Sequence, residues 1–245
     1  HKVKGIMNIF PITSINNFFA EPDEVVKFAN SLKYKKPKEG NYPGVRTKNL
    51  DTVDYDFFNR TILSILSVYF EDFENINYSD TYLEFHKIKP YSKSLKDVRN
   101  KGWIHRDGTA LGGLIYLNKQ SHPESGTSLY ALKKEPVDNE KGIKAKINFY
   151  KRNKINLNQY KKEMAFVEKQ FVKTHTFKNI YNTLVAFDGF QWHGIDNIYS
   201  NPKEDRLSLV FFIGKIQARD CPKLRVNRIQ YFNKDSYLQH GKDGV

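Results

Sequence analysis

The apolar pattern of this 245-residue chain changes near residue 80 from a helical spacing to short segments of strict alternation. Before residue 80, apolar side chains recur at intervals of three and four in two segments. The first segment contains Val25, Val26, Phe28, Ala29 and Leu32, and the second contains Phe58, Ile62, Ile65 and Tyr69. This spacing predicts two amphipathic helices that each need a surface to pack against.

From Thr81 onward the apolar residues alternate with period two in short, aromatic-rich segments separated by Gly and Pro. These segments are residues 82–86, 114–117, 128–132, 183–187 and 206–213. Such a pattern predicts β-strands and favours an antiparallel sandwich or barrel. The length suits one domain. We therefore expect a mainly β domain over residues 1–245, with helical support in 1–80 and the β core in 81–245.

A surplus of positive charge gives the chain a net charge of +13, with 40 Lys and Arg against 27 Asp and Glu. Many of these cations lie in an insert, residues 133–173, in which the spacing over 156–171 predicts a helix. A solvated Lys-rich insert explains the charge. A basic surface would also attract nucleic acid, but no helix-turn-helix, zinc-finger or RNP-like pattern accompanies it.

A single cysteine, Cys221, excludes an internal disulfide and a Cys-based zinc site. The longest apolar runs, such as residues 209–214, are far shorter than the roughly 20 residues that span a bilayer. The N-terminus has no apolar signal region. We expect a cytoplasmic protein with no membrane segment.

An H-x-D triplet at His105 and Asp107 is the first candidate metal site. In a strand, residues two apart point to the same face, so both side chains could reach one ion. Alone, this motif is weak evidence. His193 follows a predicted strand and a glycine turn, where it could supply a third ligand. Two imidazoles and one carboxylate form the facial triad that binds Fe(II) and leaves positions open.

Arg206 and Ser208 follow His193 by thirteen and fifteen residues, and they share one face of a predicted strand with Val210 and Phe212. We expect this to be the inner face. A guanidinium and a hydroxyl between apolar walls suit the carboxylate end of a small diacid. The alternative for Arg206 is a surface ion pair with a neighbouring acid, which would contribute little.

As an ordered set, H-x-D, the distal His193 and the R-x-S motif resemble Fe(II)- and 2-oxoglutarate-dependent oxygenases. Ile115-Tyr116-Leu117-Asn118 and Gly126-Thr127-Ser128-Leu129-Tyr130 resemble two strands of the prolyl-hydroxylase-like branch. The likeness covers roughly residues 82–215; the N-terminal helices and the insert match nothing assignable.

This resemblance implies a double-stranded β-helix, or jelly roll, with iron at its open end. It implies that His105, Asp107 and His193 are the iron ligands and that Arg206 binds the distal carboxylate of 2-oxoglutarate. It also implies that Tyr116 and Ser208 are hydrogen-bonding neighbours of this cosubstrate, although an aromatic residue in a barrel strand is more commonly core. The expected cofactors are Fe(II), 2-oxoglutarate and O₂.

Several other polar residues are given no place in the site. The H-x-E triplet at His122 lies in a predicted loop, where alternation does not hold. His86 and His175 are expected at strand edges, Trp192 is expected to pack beside the metal, Asn197 is interpreted as a turn residue, and Thr127 has no assigned role.

The resemblance predicts a dioxygenase that hydroxylates a prolyl or other amino-acid side chain, in a protein or free, with succinate and CO₂ as co-products. An oxygenase of the same superfamily acting on a small molecule or a nucleic acid is the alternative. The charge would suit nucleic acid, but the strand after Arg206 lacks a second arginine. From other classes, a non-catalytic jelly-roll binding module would not need the triad and Arg206, and a zinc hydrolase would not need a buried arginine.

Overall fold

Two antiparallel β-sheets form the centre of the computed structural model, which describes residues 10–38, 42–70, 76–133, 146–150, 156–200 and 203–218. In chain order the strands are β1 (Thr13–Ile15), β2 (Val45–Arg46), β3 (Ile76–Ile88), β4 (Leu111–Tyr116), β5 (Thr127–Leu132), β6 (Phe171–Phe177), β7 (Leu184–Asp188), β8 (Trp192–Ile195) and β9 (Arg206–Ala218). The helices are α1 (Pro22–Ser31), α2 (Tyr55–Leu66) and α3 (Leu157–Glu168), and residues 146–150 are also helical.

The larger sheet has six strands in the order β1-β7-β4-β9-β3-β2, and the smaller sheet has three in the order β6-β5-β8. Strands far apart in the chain, such as β4 and β9, are direct neighbours, so connections cross between the sheets. Leu129 of the smaller sheet packs with Leu114, Phe187 and Val210 of the larger sheet. The fold is therefore mainly β, with the jelly-roll architecture expected from the sequence.

Strand β9 has both of its faces buried, and its alternation separates two environments. One set of side chains packs in the core beneath the helices, and it comprises Leu207, Leu209, Phe211 and Ile213. The other set lines a cavity between the sheets, and it comprises Arg206, Ser208, Val210 and Phe212. The expectation that Arg206 and Ser208 share the inner face is confirmed by this register.

The two N-terminal helices cover the outer face of the larger sheet. Helix α1 begins with Pro22 and carries acidic residues in its first turn, where their negative charge interacts favourably with the positive end of the helix dipole. Helix α2 is capped by Asp54, whose side chain accepts a hydrogen bond from the Phe57 N–H at 2.9 Å. Their buried faces join the same core as Phe85 and Leu209. The helices thus act as the predicted support.

Residues 1–80 are nevertheless not purely helical, which differs from the expectation of helical support alone. Thr13–Ile15 and Val45–Arg46 are strands of the larger sheet, and they pair with β7 and β3. Strand β3 begins at Ile76 rather than Thr81, because its first residues pair with the far end of β9. Such short strands have too few residues to show an alternation. The single-domain organisation of residues 1–245 stays a prediction.

The insert contains the predicted helix, observed as α3, whose Tyr160 and Met164 pack against Trp103. Most of its Lys-rich part, residues 134–145 and 151–155, lies outside the described residues, as does Cys221. Within the described ranges, no helix combines the length and apolarity needed to cross a membrane.

Candidate active site

A cavity of about 210 Å³ lies between the two sheets. His105, Asp107 and His193 lie in one part of its wall, and Arg206 and Ser208 of β9 form another part. Apolar side chains from both sheets separate these polar groups, among them Leu114, Phe187, Ile195 and Val210. Polar groups converging in an otherwise apolar concavity are typical of ligand sites.

The sequence-predicted triad converges in space. One ligand atom from each of His105, Asp107 and His193 lies within 4.8 Å of the other two. The Asp107 carboxylate approaches His105 Nε2 at 3.6 Å through Oδ1 and His193 Nε2 at 3.4 Å through Oδ2. Two imidazole nitrogens and one carboxylate oxygen at such spacing fit a divalent iron of the facial-triad type.

The second nitrogen of each imidazole binds the backbone and thereby fixes the tautomer. His105 Nδ1 lies 2.8 Å from the Trp103 carbonyl, and His193 Nδ1 lies 2.9 Å from the Gln191 carbonyl. Because a carbonyl only accepts, each Nδ1 must carry the proton. Each Nε2 therefore presents its lone pair toward Asp107. Such orientation of a ligating ring by a second hydrogen bond is usual at metal sites.

The backbone brings His105 and His193 together through an isolated antiparallel bridge. His105 N–H donates to the His193 carbonyl at 2.9 Å, and His193 N–H donates to the His105 carbonyl at 2.8 Å. Gly102 N–H also donates to the Ile195 carbonyl at 2.9 Å, so residues 102–105 extend the smaller sheet beside β8. The bridge holds the two imidazole rings with their centroids 4.4 Å apart.

The position of Asp107 in the site does not result from strand alternation. It lies just after the bridged His105, in a segment without regular strand structure. Its N–H donates to the Gly189 carbonyl at 3.0 Å, and Gly108, at φ +70°, donates to the same carbonyl at 3.1 Å. A Cβ at Gly189 would lie 2.2 Å from the Thr109 carbonyl oxygen. The glycine turn before β8 thus positions both Asp107 and His193.

Electrostatics keep His105 in its neutral form. Its side chain retains 39% of its accessible surface in the cavity wall. Enclosure by protein, the neighbouring His193 and the charge of Lys146 nevertheless lower the pKa of His105 well below its usual range. A neutral imidazole is the form that can ligate a metal.

Arg206 is 2% exposed and has no acidic partner among the described residues. Its Nε donates to the Ser125 carbonyl at 3.3 Å, but its buried Nη2 has no hydrogen-bond partner. The alternative of a surface ion pair is wrong, because the guanidinium is turned inward, and the neighbouring Glu204 accepts a hydrogen bond from Asn118 instead. Burial lowers the pKa of Arg206. A buried guanidinium whose Nη2 has no acceptor favours the binding of an anion there.

Hydroxyl groups of Ser208, Tyr116 and Thr127 lie near Arg206, and only two of them line the cavity. Ser208 Oγ is buried in the cavity wall without a hydrogen-bond partner. Tyr116 does not line the cavity; its ring centroid lies 5.5 Å from the Arg206 guanidinium carbon. Its hydroxyl donates to Thr127 Oγ1 at 2.9 Å, and Thr127 does line the cavity. Thr127, which sequence reasoning left without a role, therefore stands between Tyr116 and the cavity.

Three further polar residues that sequence analysis did not assign to the site also line the cavity: Arg46, His86 and Lys146. His86, which the sequence places at a strand edge as a structural or exposed residue, is 4% exposed and lies opposite Ser208 in the register of β3 and β9. Its Nε2 is hydrogen-bonded to the Pro43 carbonyl. Burial and the nearby charge of Arg46 lower the pKa of His86. The period-two pattern could have placed His86 on the inner face with Glu84.

The remaining expectations have mixed outcomes. Trp192 does not pack beside the triad, because adjacent residues of β8 point to opposite faces; its ring contacts Phe171 at 5.0 Å. His122 begins a short turn and His175 is exposed on β6, as expected. Asn197 is buried, and its amide donates to the Leu95 carbonyl at 2.6 Å.

Comparison with known proteins assigns a family but no activity. A family model described as "Family of unknown function (DUF6445)" matches residues 5–213. No curated protein sequence matches this chain.

Solved structures with a similar fold, among them the three below, share only 11–13% sequence identity with this chain. HygX from Streptomyces hygroscopicus, with nickel and 2-oxoglutarate bound, is 12% identical over 84% of this chain and 83% of that chain, with a TM-score of 0.49. A prolyl-4-hydroxylase from Pseudomonas putida is 12% identical over 85% and 93%, with a TM-score of 0.43. EvdO2 from Micromonospora carbonacea var. aurantiaca is 11% identical over 88% and 91%, with a TM-score of 0.49. The activity must therefore be argued from the side chains of the cavity.

Proposed function

This chain belongs to the DUF6445 family, and we propose that it is a dioxygenase dependent on Fe(II) and 2-oxoglutarate. The observation that carries the proposal is Arg206: a buried guanidinium with an unpaired Nη2, in the same cavity as a triad of two histidines and one aspartate. Without a ligand, the buried guanidinium and the clustered triad each cost free energy. Together they match a molecule that binds a metal at one end and carries a carboxylate at the other.

His105, Asp107 and His193 would hold the iron through His Nε2 and a carboxylate oxygen, since both Nδ1 atoms are bound to carbonyls. Iron in such a triad supplies O₂ chemistry in which 2-oxoglutarate becomes succinate and CO₂, with one oxygen atom in succinate and the other in the hydroxylated substrate. The protein contributes the tautomers, the spacing and a wall that limits access of water.

Arg206 would bind the distal carboxylate of 2-oxoglutarate by a charge-assisted hydrogen bond from Nη2. Ser208 Oγ, which also lacks a partner, would donate to the same group. Thr127 accepts from Tyr116 and so has its own hydroxyl proton free to donate into the cavity. In this arrangement Tyr116 supports the cosubstrate through Thr127 rather than by contact.

The proposed reaction is hydroxylation of a prolyl or other amino-acid side chain, in a protein or free. Hydroxylation of a small molecule of another kind or of a nucleic acid uses the same residues and is the runner-up. A non-catalytic binding module would have the jelly roll but no need for a desolvated, unpaired Arg206.

The test is aerobic incubation with Fe(II) and 2-oxoglutarate and a panel of peptides, amino acids and oligonucleotides, with succinate read by mass spectrometry. We expect metal-dependent succinate that requires O₂ and is lost in Asp107→Ala. Tight binding of 2-oxoglutarate without succinate under any condition would favour a binding module. Activity that persists without O₂ would favour a zinc hydrolase and would overturn the proposal.

A further inference from the structure

Two cations in the cavity wall, Arg46 and Lys146, have no part in the proposed function. We propose that they form a carboxylate-binding subsite for the substrate that is hydroxylated, which would make that substrate a small carboxylic acid, such as a free amino acid. This inference rests on the proposed function and specifies its substrate class. We call Arg46, Lys146 and the adjacent Tyr42 the outer subsite.

Arg46 presents one half of its guanidinium group to a ligand. Its Nη1 is bound to the Glu84 carboxylate at 3.3 Å, and the guanidinium carbon lies 3.8 Å from the centroid of the Tyr42 ring. Its Nε is buried without a hydrogen-bond partner. The edge formed by Nε and Nη2 is a two-donor fork that matches the two oxygens of a carboxylate. Glu84 and Tyr42 hold the group in place before any ligand binds.

Lys146 also lines the cavity, from a different part of the fold. It lies in the helical segment 146–150, where the Tyr150 hydroxyl accepts a hydrogen bond from the Trp103 N–H at 3.3 Å. Arg46 belongs to an edge strand of the larger sheet, whereas Trp103 lies beside β8 of the smaller sheet. Among the described residues, the Lys146 ammonium has no ion pair; its nearest aromatic ring, Tyr150, lies 5.7 Å away. The two cations therefore reach the cavity from different elements, a strand of the larger sheet and a helical segment that contacts Trp103.

The charge balance indicates a monoanion. Fe(II), dianionic 2-oxoglutarate, Asp107 and Arg206 together are formally neutral, and Arg46 is paired with Glu84. Lys146 is then the uncompensated charge of the lining. A buried charge without a partner is costly, so a ligand that supplies one negative charge is favoured. A carboxylate supplies that charge with the right fork geometry, whereas dianionic phosphate would leave a surplus.

The outer subsite and the triad line the same cavity. Burial lowers the pKa of Arg46 and of Lys146, and in both cases the charge of Asp107 opposes this shift. A carboxylic acid held by these cations would thus lie in the cavity that contains the proposed iron ligands. This is where the substrate must lie to be hydroxylated.

The test uses trifluoroacetate as the probe and follows its fluorine NMR line width on the protein loaded with Zn(II) and saturating 2-oxoglutarate. Arg46→Gln and Lys146→Gln should each weaken probe binding by about tenfold or more, as expected from losing a charge-assisted hydrogen bond. Lys48→Gln removes an equal charge from an exposed residue near β2 and should leave probe binding unchanged. All variants should bind 2-oxoglutarate like the wild type, which shows that they are folded.

The outcomes separate this inference from the proposed function. If the wild type and both cavity variants bind the probe alike, or if the wild type does not bind it, the outer subsite is wrong even when 2-oxoglutarate binds normally. If inorganic phosphate displaces the probe at lower concentration than acetate does, the assignment to a carboxylate is wrong. If the wild type does not bind 2-oxoglutarate at all, the failure lies with the proposed function.

Discussion

His105 and His193 exchange both of their backbone hydrogen bonds, at 2.9 and 2.8 Å, although 88 residues separate them in the chain. The spacing of the proposed ligands is therefore set by the main chain rather than by flexible side chains. Such a site is preorganised, and substitution of a ligand should remove metal binding without removing the fold.

We expect Asp107→Ala and His193→Ala each to weaken Mn(II) binding by at least about 100-fold, because loss of a ligand should cost more than loss of a supporting contact. Calorimetric titration of Mn(II) measures the change, and circular dichroism checks the fold. His175→Ala, at an exposed position of β6, is the matched control. Retained Mn(II) affinity in either cavity variant would remove that residue from the ligand set.

Arg206→Met should stabilise the ligand-free protein while abolishing its response to 2-oxoglutarate. The wild type buries this charge without an acidic partner, and replacing such a charge with an apolar side chain commonly stabilises by about 1–4 kcal/mol. Thermal unfolding with and without 2-oxoglutarate measures both effects. Arg60→Met makes the same change at an exposed position and should change neither the stability of the ligand-free protein nor its response to 2-oxoglutarate. A lower unfolding temperature for Arg206→Met without ligand would contradict this account.

Thr127→Val should weaken 2-oxoglutarate binding by about fivefold to tenfold, because it removes a hydroxyl that donates into the cavity. Tyr116→Phe should change the affinity far less, since the Tyr116 hydroxyl is used by Thr127. Titration of 2-oxoglutarate in the presence of Mn(II) compares the two variants. The reverse order of effects would restore Tyr116 as the contacting residue.

Stability should fall as the pH drops below about 6.5, in part because of His86. Burial lowers the pKa of His86 in the folded state, so the unfolded state binds more protons at acid pH. The free energy of unfolding then decreases by at most about 1.4 kcal/mol per pH unit for this group, and it is unaffected above neutral pH. Urea unfolding at pH 5.5 and 7.5 should show a smaller difference in His86→Gln than in the wild type. His175→Gln should show the wild-type difference.

Gly189→Ala should destabilise the fold by about 2–3 kcal/mol and also weaken metal binding, because its Cβ would lie 2.2 Å from the Thr109 carbonyl oxygen. Gly108→Ala has φ +70° but no atom within 4 Å of its Cβ, so its cost is backbone strain of about 1–2 kcal/mol. Urea unfolding and Mn(II) titration compare the two. Equal effects on metal affinity would show that the Gly189 turn does not position the triad.

Sequence reasoning worked where a short spacing determines the geometry. The alternation of β9 places Arg206 and Ser208 on one face, and His193 lies in β8 just after the glycine turn. Asp107, in contrast, lies in a segment without regular strand structure. The strand pattern also predicts that Trp192 points away from the cavity, since its neighbour His193 points inward and adjacent strand residues point to opposite faces. The error arose from assuming that residues near a metal ligand in sequence are also near it in space.

The residues that sequence reasoning missed depend on long-range pairing. Arg46 lies on a two-residue strand whose place is set by β3, and Lys146 lies in a short helical segment that packs beside Trp103. Neither has a local pattern that predicts a cavity position. That Thr127 lines the cavity while Tyr116 lies behind it likewise depends on how the two sheets face each other.

The alternation of strand β9 places residues of the hydrophobic core and residues of the cavity on opposite faces of one strand. Its odd-numbered positions from Leu207 to Ile213 face the helices, and its even-numbered positions from Arg206 to Phe212 face the cavity. Substitutions at the odd-numbered positions should therefore change mainly the stability of the fold, whereas substitutions at the even-numbered positions should change mainly ligand recognition.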